Sequence, residues 1–90
     1  ACHPRELELE VEPDAKALDA KGSRAIDKVM AWLKAEDYEG QVLVRGGPGS
    51  LRVQEALLER GLDCRQVHAW PGHTGTVVEV AFVCPVCCIL

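Results

Sequence analysis

The sequence predicts an α/β (α+β) two-layer sandwich of order βαβαββ, with a four-stranded mixed sheet and two helices on one face. Three observations carry that expectation. Within residues 5–12, RELELEVE, acidic and apolar residues alternate strictly from Glu6 onward. Two later stretches repeat apolar residues at helical spacing, and residues 76–83, TVVEVAFV, form the most strand-prone run in the chain.

Taken in order, the alternation of residues 5–12 puts Leu7, Leu9 and Val11 on one face and Glu6, Glu8, Glu10 and Glu12 on the other. That is a half-buried strand whose glutamates protect an edge from pairing with another chain. Pro13 stops it, and Ala17 to Ala20 reads either as a short helical turn capped by Asp14 or as an extended segment. Ser23 is the expected cap of the first helix, where Ile26, Val29, Met30 and Leu33 make one buried stripe and Gly40 ends the element. Val42 to Val44 form the second strand. Ser50 is expected to cap the second helix, which buries Val53, Ala56 and Leu57 and ends at Gly61. Leu51 and Leu58 fall outside that arc, as tolerated surface leucines or as the contact of a homodimer.

Leu62 to Trp70 reads as an edge strand containing Cys64, and Pro71 to Gly75 as the turn of a hairpin with the last strand. Right-handed crossovers make the first three strands parallel and the hairpin makes the fourth antiparallel, with an expected spatial order of 1-2-4-3.

Ninety residues support a single domain, 1–90, divided into a globular core at 5–83 and a Cys-rich tail at 84–90. With 48% hydrophobic residues and few aromatics, the core must be aliphatic. The net charge of −4 is local: residues 1–20 hold six acids and two bases, and residues 21–90 hold eight of each. No apolar run approaches the roughly 20 residues of a membrane span, and no signal-peptide pattern opens the chain. The expectation is a cytoplasmic protein with no membrane partner. The absence of Asn fits a GC-rich or heat-adapted prokaryote.

The candidate ligand site lies where a strand feeds a glycine loop and a helix start, an arrangement that suits an anion. By topology, Lys21, Arg24, Arg45, Arg52 and His73 converge there on Gly46, Gly47, Gly49 and Ser50, with no carboxylate obviously placed to neutralise them. The expected ligand is a phosphate-bearing molecule, including nucleic acid. His73 is the candidate general base for any chemical step. A binding module is expected ahead of an enzyme, because a phosphodiesterase needs a fuller set of acids, bases or metal ligands. Five cysteines in a reducing compartment argue against a disulfide framework. Cys2 and His3 with Cys84, Cys87 and Cys88 could instead assemble at one sheet edge as a zinc site.

Leu18-Asp19-Ala20-Lys21-Gly22, Gly47-Pro48-Gly49-Ser50-Leu51-Arg52 and Gly72-His73-Thr74-Gly75-Thr76-Val77-Val78-Glu79-Val80 resemble the three landmarks of the Smr (small MutS-related) domain, over about residues 17–80. The resemblance implies the same βαβαββ sandwich and nucleic-acid binding. Lys21 stands where that family has a His, and Val44-Arg45 stand where it has His-Gly, so nuclease activity is expected to be lost. Leu18 to Gly22 and Pro48 also resemble the TusA/SirA sulfur carriers, which implies a thiol or sulfur-handling role. Their reactive Cys-Pro falls on Ala25-Ile26.

Overall fold

The structure, a computed structural model, describes residues 5–38, 40–72 and 75–82. Its elements are β1 (Arg5–Glu10), α1 (Ala20–Ala35), β2 (Val42–Gly46), α2 (Ser50–Glu59), β3 (Val67–Pro71) and β4 (Val77–Phe82). They build the expected two-layer sandwich. β1, β2 and β3 run parallel, and β4 runs antiparallel to both β1 and β2.

The spatial order is β1-β4-β2-β3, which corrects the expected 1-2-4-3. β3 and β4 do not form a hairpin. The connection passes over the end of β2, and β4 inserts between β1 and β2. Burial explains the choice. Val78, Val80 and Phe82 of β4 are buried against the helices, and on the opposite face Ala81 is only 9% exposed and Glu79 pairs with Arg45 of β2, so two flanking strands cover more of this strand than an edge position would. β3 presents His68 and Trp70 to solvent, and Pro71 has no N–H to give a second neighbour, so it takes an edge.

The core is aliphatic, as the composition requires. Ile26, Val29 and Leu33 of α1 and Val53 and Leu57 of α2 pack on Val42, Val44, Val67, Val78 and Val80 of the sheet. Phe82 stacks obliquely on Tyr38, with ring centroids 4.9 Å apart. Leu58 packs against this core, so of the two leucines read as a surface pair Leu51 alone is exposed.

Several boundaries move. α1 begins at Ala20, and its N-cap is Asp19, whose carboxylate accepts from the Gly22 N–H at 2.7 Å. Ser23 lies inside the first turns, where its hydroxyl accepts from Arg60 at 2.9 Å. The helix ends before Gly40: Asp37 adopts φ 49°, donating to the Lys34 carbonyl, and Tyr38 donates to the Leu33 carbonyl. Ser50 is the first residue of α2 and not its cap, and its buried hydroxyl donates to the Gly47 carbonyl at 2.7 Å. Cys64 is exposed in a turn and not in a strand. Asp63 captures that segment, because its carboxylate accepts from the Arg65 N–H at 2.8 Å and offers the backbone a local alternative to the sheet.

Candidate functional site

The glycine loop was expected to aim free amides at an anion, but those of Gly47 and Ser50 already have backbone partners. The Gly47 N–H donates to the Val77 carbonyl at 3.0 Å. The amides of Ser50, Arg52 and Val53 donate to Gly47 and Gly49 carbonyls at 3.0–3.1 Å. The glycines themselves answer to packing. Gly72 and Gly75, on either side of the turn between β3 and β4, lie against the end of β2, with the Gly72 N–H on the Gly46 carbonyl at 2.9 Å. A Cβ on Gly46, whose φ is 130°, would collide with the Val77 carbonyl, and one on Gly47 would collide with the Gly75 carbonyl. At Gly49 a Cβ would come within 2.5 Å of the Val11 side chain.

The cations read as one cluster are spread over separate surfaces, and two of them are neutralised, which corrects the expectation that no carboxylate faces them. Arg45 projects from the helix-free face of the sheet and pairs with Glu79, its neighbour on β4, at 3.1 Å. Arg52 donates to the Ala15 carbonyl at 2.8 Å and to both oxygens of Glu55 at 2.9 and 3.0 Å. Arg24 is exposed on α1, and Lys21 sits in that helix's first turn. His73 lies outside the described residues, as do Cys2, His3, Cys84, Cys87 and Cys88, the expected zinc ligands. Among the described residues no group of His, Cys, Asp and Glu has metal-site geometry, and no helix is long and apolar enough to cross a membrane.

Two of the surface concavities take in members of the expected cluster, Lys21 in one and Arg52 in the other. A groove of about 320 Å³ runs between β1 and the start of α1, with Leu9, Ala25 and Val77 as its apolar surfaces and Glu8, Glu10, Asp19 and Lys21 around them. Its charge is three acids to one base. Glu6, Glu8 and Glu10 are exposed and have no ion-pair partner among the described residues. Glu8 also stands directly across from Glu79, a like-charge pair that Arg45 relieves from the far side. The second cavity, about 210 Å³, lies between the 11–19 segment and α2, where Lys16, Arg52 and Arg60 face Glu55 and Glu59. Arg60 is anchored there by Asp27 at 2.8 Å, by Ser23 and by the Ala56 carbonyl.

The β1 groove was missed by sequence reasoning because the glutamate row was explained as edge protection alone. The available signal was its combination with the nearby Asp19 and Lys21, just ahead of the helix start expected at Ser23. The most perturbed carboxyl lies away from both cavities: hydrogen bonds from the Arg65 side chain and backbone hold Asp63 down to about 2.

The chain matches no known family model and no curated protein. Among solved structures it is similar to the OmpA-like domain of FopA1 from Francisella tularensis subsp. tularensis SCHU S4, with a TM-score of 0.75 and 16% identity, over 91% of this chain and 73% of that one. That likeness overturns the resemblance to the Smr domain and to the TusA/SirA carriers. The stretches that carried it have other duties here: Leu18 to Gly22 caps α1, Gly47 to Arg52 tucks under a crossing connection, and Gly75 to Val80 enters a central strand. At 16% identity the likeness to the OmpA-like domain is one of fold.

Proposed function

We propose that the protein is a binding module that takes a cationic, partly apolar ligand in the groove between β1 and the first turn of α1. One observation carries this reading: Glu8, Glu10 and Asp19 surround an apolar floor of Leu9, Ala25 and Val77, and Lys21 is the single opposing charge. An ammonium group with a hydrocarbon stem complements that surface, since its charge meets the carboxylates while the stem covers apolar area. Exposed charge pairs are individually worth about 0.2–1 kcal/mol, so a small ligand should bind in the millimolar range. Titration with hexylammonium, followed by backbone amide shifts, is expected to perturb Leu9, Gly22, Ala25 and Val77, while hexanoate leaves them unmoved. Equal responses to the two ions, or shifts confined to other surfaces, would refute the reading.

A second reading keeps the phosphate-bearing ligand, nucleic acid included, and is favoured by the convergence of Lys16, Arg52 and Arg60 on one cavity. Three phosphate contacts to a single strand give a log-log salt slope of about −2. Oligonucleotide binding without amide shifts at these three residues would remove it.

A further inference from the structure

β1 is an edge strand, and the phase of its hydrogen bonds can be fixed. The Val11 N–H donates to the Thr76 carbonyl at 2.8 Å, in register with Leu9 opposite Val78 and Leu7 opposite Val80. In an antiparallel ladder such residues alternate, so the odd positions bond to β4 and the even positions turn away. The N–H and C=O groups of Glu6, Glu8 and Glu10 therefore point outward along the free edge, where no described strand pairs with them.

Resting on the groove reading above, we propose that an extended peptide of alternating basic and apolar residues adds along β1 as a fifth strand. Main-chain bonds to Glu6, Glu8 and Glu10 supply the pairing, and the two faces supply selectivity. Cross-strand neighbours share a face, so residues beside the three glutamates must be Lys or Arg. Residues beside Leu7 and Leu9 must be apolar and lie toward Ala25 at the groove floor. A second copy of this chain is a poor occupant, because pairing β1 with itself sets glutamates against glutamates. The opposite edge is less open: β3 ends in Pro71, and Gln54 on α2 donates to its Val67 carbonyl at 3.4 Å.

The probe is acetyl-Lys-Val-Lys-Val-Lys-Val-Lys-amide, with two further versions N-methylated at every lysine or at every valine nitrogen. We expect saturating peptide to slow hydrogen exchange at Glu6, Glu8 and Glu10 at least tenfold. Methylation in one of the two phases should weaken binding at least tenfold, and the double variant E8K/E10K should weaken the unmethylated peptide by a similar factor. Unchanged exchange at these amides, or equal affinity for all three peptides, would overturn strand addition. If the peptides then still shift Leu9 and Ala25, the groove reading survives alone. If neither they nor hexylammonium do so, both fall.

Discussion

Gly47 shows how one position can be visible in a sequence while its reason is not. Its place in a loop is legible from GGPGS, but its need for a bare Cα comes from Gly75, brought overhead by a connection that no local pattern announces. Gly47→Ala should destabilise the fold by about 1–3 kcal/mol, the usual cost of forcing atoms into a filled space, as read by urea denaturation. Gly72→Ala is the control and should be near neutral, since nothing lies within 4 Å of the place its methyl would take. Asp63 gives a second test at this scale. Its carboxyl is depressed from 3.8 to about 2, so the folded state favours the ionised form. That contribution is present above pH 3.8 and is lost as the pH falls through about 2. Carboxyl-carbon titration should show the low midpoint, and Arg65→Ala should move it back toward the ordinary value.

The two helices end in the same way with different residues. In α2 the Gly61 N–H donates to the Leu58 carbonyl and the Leu62 N–H to the Leu57 carbonyl, with Gly61 at φ 106°. In α1 the equivalent bonds are made around Asp37 at φ 49°. A side chain in this left-handed conformation is strained, and glycine is not. Asp37→Gly should therefore stabilise the protein by about 0.5–1 kcal/mol, whereas Gly61→Ala should cost about 1 kcal/mol, both measured by chemical denaturation. At the other end of α1, Asp19→Ala should cost about 1 kcal/mol through the lost cap. The stop at Gly61 was legible because glycine marks it. Those at Asp19 and Asp37 were obscured by rivals close by: Gly22 looks like a break and Ser23 like a cap, and Gly40 looks like the terminator that Asp37 already is.

Across the whole molecule, the class of fold was legible because two helical periods and three alternating or apolar runs leave few other arrangements. The edge positions of β1 and β3 were also readable, from glutamates in one and poor alternation in the other. The strand order was not, because a five-residue turn composition suits a hairpin equally well. What decides is the burial of Val78, Val80 and Phe82 beneath the helices together with the Arg45–Glu79 pair across the β2–β4 register, a property of the assembled sheet. The candidate site followed the same division. Of the groove residues only Lys21 was singled out, and Arg45 and Arg52 of the expected cluster acquire their carboxylates through the β2–β4 register and the turn spacing of α2.

The interior place of β4 also bears on how the chain is made. Ribosomes deliver it in sequence order, so β1, both helices, β2 and β3 have all left the exit tunnel before the strand that joins them. β2, α2 and β3 form a contiguous stretch able to dock early, whereas β1 waits for a partner more than sixty residues downstream. Until then β1 is an unpaired, glutamate-studded segment, and like charges set opposite one another disfavour its pairing with another copy.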